Sequence, residues 1–308
     1  MATLAVAQVP FTTMFVLGLA YGAIFAVMGL GIALVYKTAR VINFAQGEIG
    51  TLSAFVAWWL IARQGTPWVV GAAGALAVAC AIGYLMHRFV ALPMREAPRM
   101  SLTIATLGVA FLLLGVELKV FSSSPEVLPA PFTVVSVGQF HFEGVRMGYF
   151  LLTPTYILAL AVAGLAAAVL GVVLTRTRFG IGVLASAQDA VTARLLGIPS
   201  NRVSAFTWIA AAMLGAVAGL LIAPTQGIFY AFQMSGFLFF RGLVAALVGG
   251  MDSLTGVLLG AVFVGEVNSF SGFLFQGNSG VPELVLLGIV LVVMLARPRG
   301  LLGSTAAA

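Results

Sequence analysis

The sequence predicts an all-α polytopic membrane protein with about eight or nine transmembrane helices, N-terminus outside, C-terminus inside, and one short amphipathic helix on the inner side. Three observations carry this expectation. Hydrophobic residues make up 61% of the 308 and charged residues only 8%, with a mean hydropathy of +1.13, whereas a soluble domain needs about a quarter of its residues charged. The apolar residues fall into runs of the length that crosses a bilayer. The basic residues gather in alternate gaps between those runs.

A transmembrane helix needs about 20 mostly apolar residues, and the runs lie near 11–36, 48–62, 67–86, 102–121, 151–174, 203–223, 236–250, 254–270 and 282–296. The run 48–62 is short. The runs 236–250 and 254–270 meet at Gly249-Gly250-Met251-Asp252-Ser253, so they read either as two short crossings or as a re-entrant hairpin. With the N-terminus outside and nine crossings, the inside gaps hold Lys37, Arg40, Arg88, Arg95, Arg99, Arg176, Arg178, Arg194, Arg202, Arg297 and Arg299, which is eleven of the fifteen Lys and Arg. The outside gaps hold Arg63 and Arg146. This is the asymmetry that positive-inside sorting produces, and it accounts for the formal charge of +6 without a nucleic-acid partner. The whole of 1–308 reads as a single transmembrane domain with two long loops. Residues 122–150 lie outside and alternate apolar and polar from Phe132 to Phe142, which suggests a small hairpin or cap. Residues 175–202 lie inside.

Several chemistries are disfavoured. The single cysteine, Cys80, sits in an apolar run and offers neither a disulfide nor a thiolate metal site. Residues 1–10 carry no Lys or Arg, so no cleavable signal peptide is expected. The nearest approach to a phosphate-binding loop, Gly31 to Thr38, places Tyr36 where a glycine must let the backbone close on phosphate, and Lys37 and Lys119 are the only lysines. ATP hydrolysis must therefore come from another chain. An intramembrane protease needs paired Asp, His-Glu-x-x-His, or Ser with His within the spans; both Asp and both His residues fall in gaps instead. No enzyme is expected, nor any cofactor or metal bound by this chain.

Charges at membrane depth face a cavity or a partner. Glu48 begins a span, where it either offsets the helix dipole or, with Asn43 and Gln46 around the same short break, lines a pathway. Glu117 and Lys119 lie near the outer end of their span and are expected to snorkel. Glu266 follows Gly256, Gly260 and Gly265, with Asn268 two residues later, and is expected to make an interior hydrogen bond or ion pair with Arg241 as partner. The pairs Gly18/Gly22, Gly215/Gly219 and Gly256/Gly260 let helix backbones approach, either within one subunit or across a dimer.

The inside loop supplies the most informative pattern. Ala185 to Leu196 is rich in helix formers, and Gly197 followed by Pro199 supplies a stop. Ala187, Val191 and Leu195 recur at four-residue spacing, with Leu184 and Leu196 beside them and Gln188, Asp189 and Arg194 elsewhere. Such a helix covers its apolar side either with the membrane interface or with a partner.

This loop resembles the coupling loop of the LivH-type branched-chain amino acid ABC transporter permease family, whose approximate Ala-x-Ala-x-Asp-x-x-x-Ala-x-x-x-Gly-Ile pattern is matched by Ala185, Ala187, Asp189, Ala193, Gly197 and Ile198. Val41 to Glu48 resembles the family's VINFAHGE block, with Gln46 where His is common. Val248 to Gly260 resembles its GGxGSxxGxxxG block, with Asp252 in place of a usual Gly. Arg297 to Gly303 resembles its RPxGLxG ending. The matches run in order over almost the whole chain. The resemblance implies a multi-pass subunit of a bacterial inner membrane. It pairs with a second permease subunit, a different chain in the family's pattern, and works with two cytoplasmic ATPases that use ATP and Mg, and with an extracytoplasmic substrate-binding protein. It implies ATPase coupling through Ala185, Ala187, Gln188, Asp189, Ala193, Arg194, Leu195 and Gly197. Its substrates would be branched-chain amino acids, with urea, short amides and small organic acids the alternatives among relatives. The pathway candidates are Asn43, Gln46, Glu48, Arg241, Glu266 and Asn268, with Gln226 and Tyr230 as further polar and aromatic positions. An ion-coupled secondary transporter, the main rival, would show inverted repeats, and none is evident.

Overall fold

A computed structural model describes residues 11–121, 124–131, 135–137, 140–142, 145–147, 150–152, 154–188, 190–275, 280–297 and 300–302. Each of the nine apolar runs forms a helix. In chain order they are α1 Phe11–Ala39, α2 Gln46–Trp58 continuing as a π-helical turn to Arg63, α3 Trp68–Met86 continuing likewise to Ala91, α4 Arg99–Val120 and α5 Pro154–Arg176. The inner loop contributes α6 Arg178–Gln188 and α7 Ala190–Leu195. Then come α8 Ser200–Gln226, a π-helical turn Met234–Phe239 leading into α9 Phe240–Gly249, α10 Leu254–Leu274 and α11 Val281–Ala296. Six of these are long and apolar enough to cross a membrane, with 234–249 and 281–296 shorter. The protein is an all-α polytopic membrane protein.

Helix α1 is the axis. Almost every residue from Leu17 to Val35 is buried, and α10, α8, α9 and α5 surround it. A helix apolar on all sides sits inside such a bundle, while α3, α4, α5 and α11 keep one outward apolar face, shown by Phe89, Phe111, Leu165 and Leu291. Lipid tails are as apolar as leucine, so exposure there carries no penalty and packing must hold the helices together. The glycine pairs supply it within the one chain. A Cβ at Gly265 would fall on the backbone of Gly18 and Gly22, one at Gly219 on the Gly50 carbonyl, and one at Gly260 on the Ala245 carbonyl.

The two apolar runs left open above form a helical hairpin. Its turn is built at Gly250, whose φ of 102° suits glycine. Ser253 then caps α10 by accepting the Gly256 N–H at 3.1 Å. Arg40 at the end of α1 holds this turn through Asp252 at 2.8 Å, a half-exposed pair. Residues 300–302 return to the same place. The Leu301 and Leu302 N–H groups donate to the Val248 and Gly249 carbonyls at 2.8 and 3.0 Å, satisfying acceptors that the end of α9 leaves open.

The loops extend what the sequence predicts. The expected hairpin forms, pairing Val135 with Phe142, and a second pair follows it, Val145 with Leu152. The amphipathic stretch is helical on both sides of residue 189, and its start is the correction: Thr177 caps α6 by accepting the Gly180 N–H at 3.0 Å, so helix begins seven residues before Ala185, at Arg178. Helix α7 then ends as expected at Gly197, which has φ 80°, with the Ile198 N–H on the Ala193 carbonyl.

Gly265→Leu is expected to lower the stability of the detergent-solubilised protein by about 1–3 kcal/mol through overpacking against α1. Gly164→Leu on the open face of α5, where an added Cβ meets nothing within 4 Å, is expected to change it by less than about 0.5 kcal/mol. Denaturation midpoints of the two variants, measured side by side, check the contrast.

Candidate translocation site

Between α1 and α2 the chain leaves the helical form for a short buried stretch. After Arg40, whose φ of 56° turns the backbone, residues 41–45 fold back among the helices, and α2 begins beside the middle of α8. Irregular backbone is tolerated at this depth only where the protein satisfies its polar groups. Here it does so closely. The Asn43 Oδ1 accepts the Ala45 N–H at 3.1 Å, and Asn43 Nδ2 donates to Gln46 Oε1 at 3.3 Å. Gln46 Nε2 donates to the Ala211 carbonyl on α8. Gly31 on α1 and Gly215 on α8 leave the slot this amide fills, since a Cβ at either would come within 2.6 and 2.9 Å of Nε2. From α4, Thr106 Oγ1 accepts the Phe44 N–H at 3.1 Å and donates to its own-helix carbonyl of Thr103 at 2.7 Å, with the Ile42 carbonyl at 3.3 Å.

Glu48 follows one turn into this arrangement and is 1% exposed. It faces Glu117 of α4, which is 0% exposed, and also Ser235 and Thr51. Neither carboxyl makes a hydrogen bond of ordinary geometry, although these groups stand within interaction range. Glu117 therefore does not snorkel. It lies on the buried stripe Leu102, Thr106, Ala110, Leu113, Glu117 that α4 turns inward, while Lys119 is exposed.

Arg241 and Asn268 meet at a second place. The Arg241 guanidinium, on a residue 4% exposed, donates to Asn268 Oδ1 at 2.7 Å and to the Phe237 carbonyl at 3.1 Å, and lies over the Phe237 ring at 3.8 Å. Its ion pair is with Glu283 of α11 at 2.9 Å. The expected Glu266 partnership is not formed, because Glu266 projects onto Gly18 of α1 with both carboxyl oxygens buried and unpaired. Asn268, Phe237, Tyr21, Tyr156 and Gln226 line a cavity of about 350 Å³.

At the opposite end of the bundle are α6 and α7. Ala185 is half-buried and Ala193 buried, whereas Leu195 and Leu196 are 83% and 77% exposed and Gly197 is exposed. Ala187 and Gln188 fall in the last turn of α6 and Arg194 in α7, while Asp189 lies outside the described residues.

A family model described as branched-chain amino acid transport system, permease component, matches residues 14–295. This chain belongs to that family. The permease is 30% identical over 295 residues to the high-affinity branched-chain amino acid transport system permease protein BraD of Pseudomonas aeruginosa, covering 93% of this chain and 94% of the other. It is 28% identical to LivH of Escherichia coli K12, with 93% of each chain covered, and 26% identical to the ribose import permease protein RbsC of the same organism, with 87% of this chain and 80% of that one covered.

Two of the four blocks that carried the resemblance meet at one end of the permease, and a third runs inward from Arg40 beside them. The Val41–Glu48 block is the break that follows α1. The Val248–Gly260 block is the hairpin turn held by Arg40, and the C-terminal block supplies the residues that close on α9. Glu117 is expected from the sequence to snorkel rather than face inward, and Thr106 and Ser235 are not among the sequence candidates. The inward spacing of three and four residues along α4 was the available signal for the first two.

Thr106→Val, nearly isosteric, removes the hydroxyl that satisfies the Phe44 amide. It is expected to cost about 1–2 kcal/mol, against less than about 0.5 kcal/mol for Thr103→Val at a more exposed turn of the same helix. Chemical denaturation in detergent reads the difference.

Proposed function

We propose that this permease is one membrane-spanning subunit of an ABC-type importer that carries branched-chain or related amino acids across a bacterial inner membrane. In this reading the N-terminus is outside and the C-terminus inside. A second permease subunit, two ATPases that bind ATP and Mg, and an extracytoplasmic binding protein complete the machine. The chain itself performs no catalysis and binds no cofactor.

The observation that carries the reading is the exposed end of the helical stretch α6 and α7. Leu195 and Leu196 stand exposed at its tip, and two bare leucines beside basic residues on the inner side fit a groove on a partner better than water. Directly beyond them Gly197 and Pro199 lead into α8, whose Ala211 carbonyl holds Gln46 at the broken helix. A push on this exposed end is therefore delivered, through the continuous helix α8, to the backbone break between α1 and α2. The cavity beside Arg241 and Asn268 is the outer mouth, and Asn43, Gln46 and Glu48 lie further along the pathway.

The direct test is uptake of labelled leucine, isoleucine and valine into proteoliposomes holding the assembled transporter, with urea and ribose as competitors. ATP-independent uptake, or competition by ribose but by no amino acid, would sink the reading. Leu195→Glu with Leu196→Glu is expected to lower both ATPase co-purification and uptake by about tenfold or more while leaving the permease folded by circular dichroism.

A further inference from the structure

The Glu48 and Glu117 carboxyls are unusual even for a transport pathway. Glu48 lies in the first turn of α2, where the helix dipole favours a negative charge. Glu117 lies in the last turn of α4, where the dipole opposes one, and it is wholly buried and unpaired. Structural compensation can explain the first residue but not the second. Ser235, 7% exposed, adds a third polar group whose oxygen has no hydrogen bond of ordinary geometry, facing Glu48 from the π-helical turn before α9. Gly47 makes that approach feasible, because a Cβ there would fall on Ser235 Oγ.

Three elements thus bring oxygens together, and among the described residues no basic side chain answers them. Arg241 is engaged by Glu283 and Asn268, and Lys119 is exposed. Two facing carboxyls in a bundle interior need positive charge between them, from a shared proton or from a cation. The backbone around them is arranged for change. Phe232, whose amide faces Glu117, holds a φ of 70° that costs a non-glycine residue energy. The next turn is π-helical, a form found mostly at functional positions. Within that turn Ser235 faces the carboxyls while Phe237 lines the outer cavity, so one short segment divides the two.

We propose that Glu48, Glu117 and Ser235 form the binding point for the protonated amino group of the amino acid in transit. The ammonium takes the place of the proton that the pair otherwise shares, and its three N–H donors match the three oxygen-bearing groups, one to each. The cargo's identity rests on the function proposed above; the cation site does not.

Two measurements test it. In proteoliposomes with the assembled transporter, Glu117→Gln is expected to lower leucine uptake by about tenfold, with partial recovery in Glu117→Asp; uptake within about twofold of the parent overturns the proposal. Independently, the full-length permease in detergent is treated with dicyclohexylcarbodiimide, which labels protonated buried carboxyls, and the adducts are located by mass spectrometry. Methylammonium chloride is expected to reduce labelling at Glu48 and Glu117 about threefold or more relative to equal sodium chloride. Labelling unchanged by methylammonium overturns the site and leaves a carboxyl pair that only shares a proton, whatever the uptake shows. Protection by methylammonium in a transporter that moves no branched-chain amino acid supports the site and refutes the cargo instead.

Discussion

Everything in this permease is arranged around backbone polar groups that have no water to turn to. A helix satisfies its own amides, so a bundle of unbroken helices would need little else. This chain breaks that continuity between Arg40 and Gln46, well inside the bundle, and must find partners there for each freed N–H and C=O. Asn43 supplies one from its own side chain, Thr106 supplies another from α4, and Gln46 reaches to the Ala211 carbonyl of α8. The break is thus shared among three helices that are distant in sequence. Their relative positions are set by it, and any movement of α8 is felt there first.

The glycines serve the same constraint from the other side. Without a hydrophobic drive between helices, close approach must supply the attraction, and Gly215 and Gly219 bring α8 near enough to α2 for a glutamine amide to reach a backbone carbonyl. Gly22 and Gly265 do as much for α1 and α10. The polar contacts and the close packing are one device, because neither could form at ordinary helix spacing.

Much of this was legible in the sequence, and what was not has a physical cause. The nine apolar runs became nine helices because composition alone decides which segments leave water. The end of the inner loop was legible too, since Gly197 was read as a stop and takes a left-handed conformation there. The start of that helix was missed because Thr177 caps it only once α5 has ended, and a threonine in a basic, polar stretch carries no distinctive spacing. Glu117 was misread for a different reason. Its position near the end of an apolar run suggested an exposed head group, while the evidence that it turns inward lay in its register with Thr106 and Leu113. Arg241 is legible as an interior charge, but the sequence points to Glu266 as its partner, whereas the ion pair is with Glu283. Which acid faces it depends on how α10 and α11 rotate about their axes, and an apolar run does not encode rotation.

The small closure at residues 300–302 has a consequence for the order in which the molecule is made. The carbonyls of Val248 and Gly249 await donors that lie about fifty residues further along the chain. Until those residues have been synthesised, the C-terminal end of α9 lacks these donors, and the turn rests on its own backbone bonds, the Ser253 cap and the half-exposed contact between Arg40 and Asp252. The helices can form one after another as they emerge, but this end of the hairpin is closed last.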